Sequence, residues 1–452
     1  MLTRPRWALA ALLAIIGVSF AFVAVHVESY TRLSPIDELS HLDYMFRAPA
    51  VLAPGDKVEQ QAMYEQACRG VDAPGFDPVL CDRDHEYDAD IYQEHGFNTA
   101  ATNTPIYYTA TRAVAEVVRA LTPTGSLFVA GRLASGIWLA LGLALVYLAG
   151  RRAGIRPAPL LAVLALLPAS PAILYPSATV TPDAMGLVAG ALVVLAALAW
   201  ERRPGRVRTA VLVLVCVLVP LIKLTNIVAV AALVFYLAFN RHRQAASERR
   251  SDEDATDGPD ETRPIPARQR WTTGAVAGAA AVVAGGAWTV ISNSRNHADP
   301  DDVPDMAVRF AVTEFPWNGL LDSALIMAQP LSQPWVGVGT PSLLFFTTTV
   351  VSLVLIAGTA AAAFFSTGTP RATVAARAML AAAVLVALGL VTMGYVTASQ
   401  YFPLPARYGV ALVPGMVLVT AGMLRTRSSV AITAGLAVVV LVFTAARVIG
   451  LP

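Results

Sequence analysis

Charges are scarce in this chain, so those that stand near apolar runs are the first place to look for chemistry. Asp37, Glu38 and His41 crowd into Ser34-Pro35-Ile36-Asp37-Glu38-Leu39-Ser40-His41, directly after the first long apolar run. Asp37 and His41 are four positions apart and share a face if the stretch is helical. Glu38 is adjacent, and Asp43 and Arg47 follow. A carboxylate at a membrane mouth can take the proton from a sugar hydroxyl as general base. It can also hold a divalent cation against a phosphate. The same residues read as a helix start too, with Ser34 as N-cap, Pro35 in the first turn and Asp37 at the capping-box position. Acids favour that end of a helix whatever else they do.

Three further residues could complete such a site. Asp183, in Thr179-Val180-Thr181-Pro182-Asp183, is a second acid that can line the same cavity, or simply sit in the first turn of a helix capped by Thr181. Lys223 lies between two apolar pieces, and a lysine inside a membrane is costly enough to be a functional candidate. It can alternatively snorkel to the headgroups. Arg407, in Pro403-Leu404-Pro405-Ala406-Arg407-Tyr408, has a planar fork suited to a phosphate, or anchors the interface with Tyr408. His85, His95, Asp84, Glu86 and Asp88 can bind metal in principle, but read better as a solvated acidic loop; whether any metal is held is left open. Cys68 and Cys81 share one polar loop and can pair if it faces an oxidising compartment, while Cys216 lies in an apolar run.

The elements that must position these residues are membrane helices. Of 452 residues, 56% are hydrophobic and 14% charged, against about 25% charged in soluble domains. Apolar runs of about 20 residues recur, each long enough for the hydrocarbon core. The fold class expected is an all-α polytopic membrane protein with about eleven spans and two long loops carrying interfacial helices. Spans are expected near 7–27, 127–149, 157–175, 182–200, 209–222, 224–239, 271–291, 341–365, 373–395, 405–424 and 430–448. The first follows Arg4 and Arg6 but lacks a small-residue cleavage site, and reads as a retained anchor. The pieces flanking Lys223 are short, as in a tight hairpin or a broken pair. Residues 104–120 and 306–328 read as helices lying along the interface. The chain divides into an N-terminal membrane module, 1–239, with its large loop 28–126. A charged linker expected to be disordered, 240–270, leads to a C-terminal module, 271–452, with loop 292–340.

Arginine sets the expected orientation. Arg151 to Arg156, Arg202 to Arg208, Arg241 to Arg270, Arg371 to Arg377 and Arg425 to Arg427 fall on one side, which the positive-inside rule makes cytoplasmic. The two acidic loops are then outside. No glycine-rich phosphate loop is present, so chemistry on the outer face must use a substrate already in the membrane or beyond it.

In this order and placement the motifs resemble the GT-C superfamily of integral-membrane glycosyltransferases. Asp37-Glu38 stands at the head of a long outer loop; Pro105-Ile106-Tyr107-Tyr108 is similar to the Pro-Pro-Leu-Tyr-Tyr element of such proteins. Tyr175-Pro176 and Pro182-Asp183 fall at a short polar turn, and Ala406-Arg407-Tyr408-Gly409-Val410 with Pro414 resembles a late Gly-Arg-Tyr-x-x-Pro element. Within the superfamily, Pro35-Ile36-Asp37-Glu38-Leu39-Ser40-His41 looks closest to uncharacterised bacterial membrane proteins with a Pro-Asp-Glu-x-x-His signature, from which Ile36 is a one-residue departure. The resemblance implies an inverting transferase in a bacterial plasma membrane that takes a sugar from a polyprenyl-phosphate carrier. The acceptor would be an envelope glycan, lipid or protein on the extracytoplasmic face. It implies Asp37 as base with Glu38 its rival and His41 beside them. Arg407, Lys223 and Tyr408 would bind the donor phosphate, and Tyr107, Tyr108 and Asp183 would line the cavity. A divalent cation is compatible with this reading; membrane lipid is an expected partner and nucleic acid is not. Two other classes stay open: a transporter or flippase of envelope precursors using Lys223, Asp183 and Asp37 as pathway charges, and a non-catalytic assembly subunit.

Overall fold

A computed structural model describes residues 6–71, 73, 76, 78–240, 265–299, 302–333 and 341–448. The chain is a helical bundle with a helical cap at one end, and among the described residues the only β-type pairing is in isolated bridges. The bundle helices are apolar around their whole circumference, as expected where one side meets neighbours and the other meets lipid. They are α1 (Arg6–Ser29), α5 (Leu127–Arg152), α8 (Gly186–Arg202), α9 (Arg206–Ile222), α10 (Ile227–Phe239), α11 (Ala267–Ser294), α14 (Pro341–Phe365), α15 (Pro370–Ala398), α16 (Val413–Met423) and α17 (Arg427–Val448).

Eight helices among the described residues are long and apolar enough to cross a membrane, or nine if one bent pair counts as a span. The shortfall from eleven falls in two places. The expected straight span over 157–175 is broken: Pro157–Ala169 and Pro171–Ala178 meet at 73°. They contain α6 (Pro157–Leu164) and α7 (Pro171–Leu174). Pro168, Pro171 and Pro176 each remove a backbone donor, so one straight ladder cannot run through the segment. The second place is Lys223, whose extended backbone separates α9 from a 3-10 turn, Leu224–Asn226, and α10. A broken helix deep in a bundle is tolerated where protein or a water-filled cavity surrounds the free backbone groups.

The cap is built from the first loop. It holds α2 (Glu38–Arg47), α3 (Gln60–Arg69) and α4 (Ile106–Leu121), with short 3-10 turns between them. The interfacial helix expected at 104–120 is α4. It buries Tyr107, Tyr108, Thr111 and Ala115, leaves Val117 and Leu121 exposed, and packs along α5. Arg112 donates to the carbonyls of Phe46 and Ala48, which ties α4 to the end of α2. Cys68 and Cys81 form the expected disulfide, joining the end of α3 to the segment before the acidic run.

The second loop differs from expectation. In place of one helix over 306–328 there are two, α12 (Asp305–Arg309) and α13 (Trp317–Met327). Pro316 stands just before the second and interrupts the pattern. This loop folds onto the first: Glu94 accepts from Met306 N–H at 2.6 Å and from Arg309 at 2.7 Å, and Lys57 reaches Asp302 at 3.0 Å. The two expected modules also pack together within the bundle, α10 running along α11 and α15. The expected linker 240–270 lies, over 241–264, outside the described residues, as do 334–340 of the second loop.

At the end of the bundle opposite the cap the arginines gather. Arg202 donates to the carbonyl of Arg152, Arg156 to that of Arg425 at 3.0 Å, and Arg371 pairs with Glu201.

Candidate functional site

Asp183 is the hub of a charged cluster at the cap end of the bundle. It sits in a 3-10 turn, Pro182–Met185, directly ahead of α8. One carboxylate oxygen pairs with Lys223 Nζ, and the other accepts from Arg407 Nε at 3.1 Å. Lys223 comes from the break between α9 and α10, and Arg407 from a 3-10 segment, Ala406–Leu412, that leads into α16. Tyr408 lies under both cations, its ring centroid 4.6 Å from Lys223 Nζ and 5.6 Å from the Arg407 guanidinium carbon. Each of these groups stands at a helix break or a helix entry, which is where a bundle can turn polar atoms inward without opening a backbone ladder. Asp183 does sit in the first turn of the helix that follows Thr181, but Thr181 makes no side-chain cap bond, and Asp183 holds the two cations as well.

Asp37, in the cap, lies within electrostatic reach of the same cluster. Arg407, Lys223 and Asp183 all act on its carboxyl electrostatically. It is exposed, whereas its neighbours Glu38, Leu39 and Ser40 are buried. Water reaches it where cap and cluster meet, while the surrounding protein encloses the rest of the carboxyl, and this junction is the recess. That enclosure raises the Asp37 pKa above its ordinary value, against the opposing pull of Arg407 and Lys223. The helix-start reading of this stretch is corrected: α2 begins at Glu38, and Asp37 precedes it in the left-handed region (φ 55°) with no side-chain cap bond. Ser34 does not cap α2 either; its own N–H donates to Glu38 Oε2.

His41 lies one turn into α2 and meets Tyr108 through a 2.8 Å contact between Nδ1 and the phenol oxygen. Burial lowers its pKa to about 3, with the nearby Lys223 charge acting in the same direction. It is therefore a neutral imidazole that helps shape the recess. Tyr107 and Tyr108 are fully buried. Tyr107 accepts from Thr181 N–H at 3.0 Å, and Tyr108 stacks on Tyr44 at 4.0 Å. The pair therefore supports the recess from behind and offers it no exposed ring surface.

Glu38 has a different part from its neighbour. It is 1% exposed and fully engaged. Arg132 approaches Oε1 through Nε at 2.9 Å and Oε2 through a terminal nitrogen at 2.6 Å. Val180 N–H adds a bond to Oε1 at 3.1 Å, and Ser34 N–H one to Oε2 at 2.6 Å. Arg132, itself fully buried, also donates to the carbonyls of Tyr30 and Arg32 at 2.6 Å each. A carboxylate carrying four donors has no lone pair turned to a substrate, so Glu38 is corrected from rival base to the joint between cap, α5 and the Val180 turn. Sequence reasoning passed over Arg132. Its signal was present, a lone arginine within the apolar run 127–149. Asp43 is likewise structural, accepting from Glu59 N–H at 2.9 Å and Asn98 at 2.7 Å.

His85, Asp84, Glu86 and Asp88 lie in the exposed acidic run, and His95 contacts Asp302 and Asp305 at the cap surface. Among the described residues no group of three or more His, Cys, Asp or Glu side chains is arranged to hold a metal ion.

A family model described as a predicted membrane protein, DUF2142, matches residues 74–416. The chain belongs to that family. The matched region contains Tyr107, Tyr108, Asp183, Lys223, Arg407 and Tyr408, and begins after Asp37, Glu38 and His41. No curated protein and no solved structure matches the chain.

Proposed function

We propose that this membrane protein is a glycosyltransferase of GT-C type. It would move a sugar from a polyprenyl-phosphate carrier to an envelope acceptor on the extracytoplasmic face of a bacterial plasma membrane. The observation that carries the reading is the charged cluster at the cap end, where an accessible carboxylate, Asp37, stands within electrostatic reach of the cations Lys223 and Arg407 held by Asp183. The order of motifs along the chain supports it, and so does the gathering of arginines at the end of the bundle away from the recess.

In this reading the acceptor hydroxyl gives its proton to Asp37 and its oxygen attacks the anomeric carbon. The bond from that carbon to the phosphate oxygen breaks, and the electron pair leaves with the polyprenyl phosphate. Lys223 and Arg407 neutralise the growing charge on the leaving phosphate. Asp183 orients the two cations, and Tyr408 holds both over its ring. Deprotonation by a positioned base contributes about 10²–10⁴-fold.

The test uses purified protein in lipid vesicles with polyprenyl-phosphate sugars. Asp37→Asn is expected to bind donor as wild type does while transfer falls by about 10²–10⁴-fold. Arg407→Lys keeps the charge but loses the planar fork, and is expected to weaken donor binding. Wild-type rates in Asp37→Asn would remove it as base. A wild-type protein that moves donor across the bilayer but transfers no sugar would establish the transporter reading in its place.

A further inference from the structure

A cavity lies at the other end of the bundle, away from the Asp183 cluster. It encloses about 430 Å³ between α8, α10, α15, α16 and the turn from α5 to α6. That is within the range of about 300–1,000 Å³ usual for ligand sites. Its deep part is apolar, with Val193, Leu233, Met379 and Leu418 on four different helices. Its mouth is basic: Arg156, Arg371 and Arg425 stand there with one acid, Glu201, which Arg371 pairs. All three arginines are exposed.

The dimensions indicate what fits. Both Gly190 and Glu201 line the cavity, at opposite ends of its α8 wall. At 1.5 Å per residue that wall is about 16 Å long. A hydrocarbon core is about 30 Å thick, so the apolar part reaches roughly as deep as one leaflet. With the arginine-rich end at a membrane surface, as the positive-inside rule places it, the charged end falls at the level of headgroup phosphates. A free anion would use the mouth and leave the depth empty, and a neutral lipid would add no charge to balance an arginine excess that Glu201 offsets only at Arg371.

We propose that this cavity binds one anionic phospholipid, its acyl chain between α8, α10, α15 and α16 and its phosphate on Arg156, Arg371 and Arg425. Basic pockets between membrane helices favour such headgroups, each basic side chain contributing enough for several-fold in affinity. The site is separate from the recess and does not rest on the transferase reading. It meets that reading at one point. The 3-10 segment Ala406–Leu412 carries Arg407, and its last two residues, Ala411 and Leu412, line the cavity.

The experiment is native mass spectrometry and thermal unfolding of the full chain with three probes: phosphatidylglycerol, phosphatidylcholine and inorganic phosphate. One phosphatidylglycerol is expected to stay bound and to raise the unfolding temperature, while the other two do neither at the same concentration. Arg156→Gln with Arg425→Gln changes only exposed side chains and leaves the Arg371–Glu201 pair in place. It is expected to lower phosphatidylglycerol affinity about thirtyfold. Ala375→Phe puts a ring into the cavity and is expected to abolish retention, with unfolding of the lipid-free protein as the check that the variant is folded. Equal retention of phosphatidylcholine, equal stabilisation by inorganic phosphate, or undiminished binding by the arginine double variant would overturn the proposal.

Discussion

Asp37 is held in a backbone conformation few side chains adopt. At φ 55° a β-branched or bulky residue is strained, whereas aspartate and asparagine are the non-glycine types that tolerate it. Asp37→Asn therefore changes the charge and leaves the turn. The raised pKa means the fold disfavours the ionised form. Its contribution to stability is present below the unfolded pKa of aspartate and is lost as pH rises through the higher folded value. Asp37→Asn is accordingly expected to match or exceed wild type in unfolding temperature at neutral pH, with the gap closing in acid, where both side chains are neutral. Lower stability of the variant at neutral pH would assign Asp37 a structural role. The same shift places the acid limb of the proposed activity above the ordinary carboxylate range, since the base must be ionised. His41, with a pKa near 3, stays neutral throughout and cannot produce that limb. Asp183, Lys223 and Arg407 were legible in the sequence because a charge beside apolar runs, or an arginine on the side that lacks them, stands out without knowledge of contacts. That they form one cluster was not, since 40 and 224 positions separate Asp183 from its two partners. The separate fates of Glu38 and Asp37 were hidden for the same reason: the guanidinium that engages Glu38 is 94 positions away.

Among the elements, α4 was readable because its buried positions follow a helical period, and the uniform spans because apolar length alone identifies them. The bent pair was harder. A hydropathy average over 157–178 is high whether the segment is straight or turned, and only Pro168, Pro171 and Pro176 mark the break. The disulfide was readable from two cysteines in one loop. It spans 13 positions and fixes α3 to the chain that follows. A ring of this size contributes about 3 kcal/mol in the chain-entropy view. The variant Cys68→Ser with Cys81→Ser is expected to exchange amide hydrogens faster over 60–97 and unchanged along α5, α8 and α15. Faster exchange in the spans as well would mean that the cap and bundle unfold together.

For the whole molecule, the strongest constraint is that the recess and the arginine-rich end lie at opposite ends of the bundle. The positive-inside rule then assigns them to opposite sides of the membrane. Single cysteines at Thr122 and Arg203, both exposed, test this in intact cells. Thr122→Cys is expected to react with an impermeant thiol reagent and Arg203→Cys only after lysis. The reverse pattern would place the recess inside and remove the lipid-linked donor reading with it.

The buried pair of Glu38 and Arg132 also bears on how the chain is made. Translation releases Glu38 first, so the acid already lies beyond the first span when the arginine of the second reaches the insertion machinery. An arginine at the middle of a span costs about 2.5–3.5 kcal/mol on insertion scales. Arg132 stands nearer the end of its helix, in the first two turns of α5. Removing one partner of a buried pair leaves the other uncompensated, about 3–5 kcal/mol. Glu38→Gln is therefore expected to show itself during biogenesis, as less full-length protein in the membrane and more degradation of nascent chain, before any effect on the mature protein can be measured. Glu38→Gln combined with Arg132→Gln removes both charges and is expected to recover much of the yield. If the single variant accumulates as wild type does, the first loop and second span are inserted independently, and the pair forms only afterwards.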